Sequence, residues 1–181
     1  MRVSFEDYFE REAASEAKHE WCAGVVYAIS RGTPEHARLS ASMARVLGNV
    51  LAKPCVVYGS EAMIYVERAE LSTYADATVV CGELETRVVH KNGRSLGEAV
   101  VNPTIVVEVL SESTERYDRD GKFRAYQCLA SMEEYVLVSQ DERRIAVYRR
   151  QVDGTFSCEQ GGVGEAVHVH GARIPVDDVY G

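Results

Sequence analysis

Apolar residues change their spacing several times along the chain, and each spacing predicts a different kind of element. Phe5, Tyr8 and Phe9 recur at helical intervals behind Ser4, a good cap, with acids in the first turn. The run WCAGVVYAI (21–29) reads as a strand or hairpin turning at Gly24. Thr33 and Pro34 then supply a capping hydroxyl and a first-turn proline. Leu39, Met43, Val46, Leu47, Val50 and Leu51 follow at helical spacing, predicting an amphipathic helix over 34–52 that Pro54 ends. From Cys55 the period becomes strand-like: CVVYG, AMIYV and ATVVC (77–81) are short β-branched runs. Residues 82–101 read as a polar connection with at most a short strand at RVVH. A strand over 103–110, a polar loop SESTERYD, and a helix from about Arg119 to Ala130 capped by Asp118 come next. EYVLVS, RIAVYRR and TFSCEQ finish as antiparallel strands.

This order predicts an α+β (mixed α/β) fold. The strand–helix–strand piece over 103–138 fits a right-handed crossover between parallel strands. Unbroken apolar character in VVEVL and YVLV suits central strands covered on both faces. Glu108 stands inside such a run, where an unpaired charge is most costly.

Alternation puts Glu108 near the end of its strand, on the face of Val106 and Leu110. Asp76 starts the ATVVC strand, so antiparallel pairing of the two would bring both carboxylates to one rim of the sheet. Their repulsion would be relieved by a divalent cation, and hard oxygen donors suit Mg²⁺ or Mn²⁺. Lys122 lies one turn before Tyr126 on the helix that follows, close enough in the chain to reach back to Glu108. Two acids, a metal and a lysine suit phosphodiester hydrolysis: the metal activates water and the lysine orients it or shields charge. Each residue has a plainer explanation: Asp76 as a turn residue, Lys122 as a surface lysine, Glu108 as the partner of a core arginine.

Length is ample for one domain over 1–181 with a real core. No apolar run reaches membrane-spanning length, and the acidic, periodic N-terminus resembles no signal or transit peptide, so no membrane partner and a cytoplasmic location are expected. Five scattered cysteines without a CxxC pair read as reduced thiols, against a disulfide framework or structural zinc. His168 and His170 share a strand face with no third ligand nearby in sequence. The net charge of −8 disfavours a protein wrapped in nucleic acid, so any DNA contact must be local. Arg87, Lys91 and Arg94 form one basic patch and Arg143, Arg144, Arg149 and Arg150 another. Solvated hairpin faces account for either patch taken alone.

The segments KHEWCAGVVY (18–27), TPEH (33–36), YADATVV (74–80), NPTIVVEVLSEST (102–114), YDRDGKFRAYQ (117–127) and EYVLVSQDERRIAVYRR (134–150) together resemble a bacterial family of unknown function. That family is named "putative restriction endonuclease" and lies within the PD-(D/E)XK, restriction-endonuclease-like nuclease superfamily. The resemblance runs through nearly the whole chain and is most specific in the central run and the YDR–K–Y helix. It implies a central mixed β-sheet flanked by helices, with Asp76 and Glu108 as catalytic metal ligands and Mg²⁺ as the usual ion. Lys122 would be the displaced catalytic lysine. Glu20, placed in the first helix, is a further candidate acid, and His36 and Tyr126 would line the site. Two positions depart from the superfamily motif: Ala75 replaces its proline, and Leu110 stands at its usual lysine position. The implied activity is metal-dependent DNA endonuclease cleavage by a homodimer or higher homo-oligomer. The alternative is a catalytically silent binding or regulatory module on the same fold.

Overall fold

A computed structural model of the chain describes residues 2–112 and 114–181. Ser4 caps α1 (Phe5–Ala13), its side chain accepting from the Asp7 amide, and Phe5, Tyr8 and Phe9 are buried as the spacing predicts. The hairpin is β1 (His19–Cys22) and β2 (Val25–Ala28). α2 (Pro34–Val50) is capped by Thr33 and ends one turn before Pro54. Strands β3 (Cys55–Gly59), β4 (Met63–Val66), β5 (Leu71–Tyr74) and β6 (Ala77–Cys81) follow.

The stretch read as a polar connection is a hairpin, β7 (Thr86–Lys91) and β8 (Arg94–Val100). Its polar residues face solvent on one side while Val89, Ala99 and Val100 are buried, and Asn92 and Gly93 take the turn with positive φ. After β9 (Ile105–Leu110), helical structure begins earlier than expected, with α3 (Glu115–Tyr117), a π turn over Asp118–Lys122, and α4 (Phe123–Tyr126). Of the expected polar loop over 111–118, Ser113 lies outside the described residues. β10 (Glu134–Ser139), β11 (Ile145–Arg150) and β12 (Phe156–Gly161) are as read, and a hairpin, β13 (Ala166–Val169) and β14 (Ala172–Pro175), leads to α5 (Val176–Tyr180).

Among the described residues the strands form two six-stranded sheets and the β13–β14 hairpin. One sheet runs β2-β1-β5-β4-β8-β7, the other β12-β11-β10-β9-β6-β3. In the second, β9 pairs parallel with β10 and antiparallel with β6, so it is a mixed sheet with β9 and β10 inside. α2 and α5 pack on one face of this sheet through Leu39, Met43, Leu47 and Val179 against Val79, Val107 and Val136. Tyr126 and Leu129, with Ile64, Val66 and Leu71 of the first sheet, cover the other face over Val106 and Leu137. α1 closes the far side of the first sheet. Every residue of β9 is buried, so each of its aliphatic side chains contributes about 1.5–3 kcal/mol of burial. The same burial raises the cost of Glu108's charge.

The cap of α2 gives a modest stability test. Thr33 Oγ1 accepts from the His36 amide at 3.1 Å. Thr33→Ala is expected to lower the unfolding free energy by about 1 kcal/mol, read as a shift in urea midpoint at unchanged slope.

One expectation about cysteine is overturned. Cys55 and Cys81 are joined in a disulfide, while Cys22, Cys128 and Cys158 are free thiols. Antiparallel pairing of β3 with β6 sets the two directly opposite each other, 26 residues apart in sequence. Their amides bond elsewhere, Cys55 to Ala52 and Cys81 to Thr104 Oγ1. They therefore form the kind of cross-strand pair in which side chains approach most closely.

Candidate functional site

β6 and β9 pair with Ala77 opposite Val107, and continuing that register sets Asp76 opposite Glu108. The Asp76 amide still donates to Val107 O at 3.1 Å, after which the chain leaves the ladder. The Asp76 carboxylate replaces the missing strand: its Oδ2 accepts the Val109 amide at 2.7 Å. His36 Nε2, in the first turn of α2, lies 3.3 Å from the same oxygen, and Ser40 Oγ donates to the Asp76 carbonyl. Helix and sheet thus hold Asp76 by one carboxylate oxygen. Oδ1 carries no hydrogen bond among the described residues.

Glu108 is arranged in the same way. Its Oε1 accepts from Tyr126 OH at 2.9 Å and from Lys122 Nζ at 3.1 Å. Its Oε2 has no partner among the described residues. Lys122 Nζ also lies 3.5 Å from Asp118 Oδ1. Both carboxylates and Lys122 line one cleft of about 610 Å³ shared with Glu20, His36 and Tyr117.

Burial dominates the titration of this group. It pushes Glu108 up to about 8, with the charges of Asp76 and Asp118 adding to the rise and Lys122 opposing it. Burial likewise raises Asp118, against the pull of Lys122. For Lys122 burial works towards the neutral amine, but Glu108, Asp118 and Glu20 outweigh it and hold the ammonium above its usual range. Three acids around one ammonium leave the cleft short of positive charge.

The structure gathers all six predicted residues at this site, Tyr126 through its bond to Glu108, but carries Glu20 there on a different element from the one expected. Glu20 is not in the first helix. That helix ends at Ala13, and Glu20 sits buried on β1, paired through Trp21 and Cys22 with β5. A strand is required there because Trp21 turns into the α1 core while Glu20 points the opposite way. Thr73 Oγ1 donates to Glu20 Oε2 at 2.6 Å, and Tyr117 OH donates to Oε1. Both oxygens of Glu20 are therefore occupied, unlike those of Asp76 and Glu108.

Asp118, Tyr117 and Thr73 were not singled out in the sequence. Asp118 reads there as a cap, yet it makes no capping bond and is buried against Lys122. The spacing of four puts Asp118 on the same side as Lys122, so the inward-facing lysine and the acid are buried together. The available signal was the acid–lysine spacing of four in YDRDGK. Gly121 serves Tyr117: a Cβ at 121 would come within 2.6 Å of the Tyr117 ring, which must pass there to reach Glu20.

The two basic patches are largely consumed by the protein. Arg87 pairs with Glu67 and lies over the Tyr65 ring, and Lys91 bridges Asp7 and Glu10. Arg149 pairs with buried Glu134, and Arg150 donates to the carbonyls of Gln127, Leu129 and Met132. No helix among the described residues is long and apolar enough to cross a membrane.

His36 supplies a local test of this geometry. Its hydrogen bond to Asp76 raises its pKa, against the opposing effect of burial. An NMR titration should find His36 above the usual 6.5, and Asp76→Asn should return it towards that value. An unchanged titration in the variant would mean the two side chains do not meet in solution.

Comparison with known proteins agrees with this architecture. A crystal structure titled as a putative nuclease belonging to DUF820, from Anabaena variabilis, superposes with a TM-score of 0.67 at 18% identity, covering 92% of this chain and 91% of that one. At that identity the likeness establishes the restriction-endonuclease-like fold. The chain is 32% identical to the uncharacterized protein slr1290 of Synechocystis over 86% of its length and 78% of the relative's. It is 26% identical to uncharacterized protein sll1609 of the same organism, over 81% and 80% of the two chains. Residues 5–170 match the family described as "Uma2: Putative restriction endonuclease", so the chain belongs to that nuclease-like family.

Proposed function

We propose that the cleft is the active site of a divalent-metal-dependent endonuclease hydrolysing DNA phosphodiester bonds, carried by a single domain over 1–181. The observation behind this reading is the divided use of two carboxylates. Asp76 and Glu108 each commit one oxygen to the protein and leave the other without a hydrogen-bond partner among the described residues, in a cleft lined by four acids against Lys122 and Arg31. Such a donor set fits Mg²⁺ or Mn²⁺, with Asp76 and Glu108 as the residues that would hold it. When bound, the ion would polarise the phosphate and make water a better nucleophile.

The chain's own groups would do the rest. Tyr126 and Lys122 fix the rotamer of Glu108 through Oε1, and His36 with the Val109 amide fixes Asp76 through Oδ2. The Lys122 ammonium, kept charged by its three acids, would orient the attacking water and face the charge developing on phosphate. Glu20 acts at a distance, helping to hold that proton on Lys122. A homodimer would place two such clefts on opposite strands of one duplex, in a cytoplasmic setting.

The engagement of Arg87, Lys91, Arg149 and Arg150 within the protein favours the second reading, a binding module without cleavage. Supercoiled plasmid incubated with Mg²⁺ or Mn²⁺ decides between them. Wild type is expected to nick or linearise it, and Asp76→Ala is expected not to. Nicking that survives the substitution would mark a contaminant. An intact plasmid with retained DNA binding would favour the silent module.

A further inference from the structure

A second cluster of ligand-type side chains lies away from the carboxylate cleft. Cys81 is at the opposite end of β6 from Asp76, five residues along, or about 17 Å at strand rise. There the ligand atoms of Cys55, Cys81 and His170 lie within 4.8 Å of one another. They border a separate pocket of about 340 Å³ that shares no lining residue with the cleft. His170 comes from the β13–β14 turn, 89 residues beyond Cys81, which is why no third ligand was visible beside it in sequence.

His170 is held as a metal-ligating histidine usually is. Its Nδ1 lies 3.3 Å from Glu133 Oε2, leaving Nε2 as the nitrogen to face a cation. Its amide donates to Glu134 Oε2 at 2.7 Å, and Glu134 is itself anchored by Arg149. The backbone at His170 has φ +48°, a left-handed conformation that a β-turn normally assigns to Asn or Gly. His168, two residues away, is instead tied to Glu159 and takes no part.

We propose that Cys55, Cys81 and His170 form a redox-gated site for a borderline-soft divalent cation of the Zn²⁺ class, open only when the disulfide is reduced. Thiolate and imidazole donors select such an ion over Mg²⁺. Tetrahedral coordination puts donors about 3.5–4 Å apart, well within what this cluster allows once the sulfurs are released. Opening needs a dithiol reductant. Two electrons and two protons pass to the Cys55–Cys81 bond, giving two thiols, while the dithiol closes to its own disulfide. Cation binding then displaces the two thiol protons, and water from the pocket completes the fourth position. Oxidation and metal loading are mutually exclusive states of one strand pair.

The test uses the full chain, reduced with dithiothreitol, desalted anaerobically and titrated with Co²⁺. One equivalent is expected to give sulfur-to-cobalt charge-transfer absorption and tetrahedral d–d bands, bleached by Zn²⁺ and absent from the oxidised protein. Glu133→Gln should weaken binding by about 10- to 100-fold, and His170→Asn, which suits the left-handed backbone, by at least as much. The Asp76→Ala/Glu108→Ala double variant should keep the spectrum, separating this site from the cleft. No charge-transfer band in the reduced protein would overturn the proposal. So would a band that persists in the Cys55→Ser/Cys81→Ser variant, or an affinity unchanged by His170→Asn.

Discussion

Lys122→Met is expected to lower the unfolding free energy by roughly 3 kcal/mol at pH 9 and by much less at pH 5. The methionine fills the space but removes the buried cation that Glu108 and Asp118 share at 3.1 and 3.5 Å. Breaking a buried pair leaves the remaining charges uncompensated, which is the expensive case. The pH dependence follows from the sign of the carboxylate shift. Glu108's folded-state pKa already stands at about 8 against 4.5, and without Lys122 it rises further. The folded protein then holds protons that the unfolded chain has released, so stability falls as pH climbs from about 4.5 through the folded value. At pH 5 Glu108 is protonated in the fold and little is lost. Thermal melts across this range check it, and a deficit that does not vary with pH would place Lys122 outside the network.

Glu108→Gln should have the opposite effect on stability and a larger one on catalysis. The amide keeps the shape and can still accept from Tyr126 and Lys122, but it carries no charge into the buried strand. In wild type the raised pKa removes stability between pH 4.5 and about 8, and glutamine has no such titration. Metal-free Glu108→Gln should therefore match wild type near pH 5 and exceed it by about 5 kcal/mol at pH 9, the rise from 4.5 to about 8 counted at roughly 1.4 kcal/mol per unit. Its Mg²⁺-dependent DNA cleavage should fall by roughly 10³-fold, the equivalent of about 4 kcal/mol of transition-state stabilisation. A variant more stable yet inactive would mark Glu108 as a residue kept for chemistry at the expense of the fold. Equal stability at every pH would show that Glu108 bears no burial penalty.

The fold was most legible where local chemistry and tertiary need agree. Ser4, Thr33 and Pro34 announce their helices, and VVEVL and YVLV announce the covered central strands β9 and β10. β7 is visible only as a short strand at RVVH and β8 not at all, because half of their residues face water and their inward positions are few. Asp76, Glu108 and Lys122 are legible because charge stands at predictably inward positions, whereas His36 and Tyr126 are reached through the family resemblance. Asp118 is not legible, since an acid at the start of a helix reads as a solvent-facing cap, and only its i, i+4 pairing with an inward lysine marks it as buried. Glu20 reads as helical because an acidic N-terminal stretch hides where helix gives way to strand. The Cys55–Cys81 pair depends on a register between strands 26 residues apart, which no local pattern reports.

The cleft also constrains the order in which the chain can assemble. Its groups come from β1, the first turn of α2, the approach to β6, the end of β9 and the π turn, so no contiguous fragment contains it. Lys122 is 14 residues from Glu108, whereas Asp76 is 33 residues from its β9 contact and Glu20 is 97 from its Tyr117 contact. Closing the shortest of these loops first costs the least chain entropy. It also delivers the ammonium before the two sheets close over β9. A folding route in which the sheets met first would trap a solitary carboxylate in the core, so the proximity of Lys122 in sequence favours the productive path kinetically.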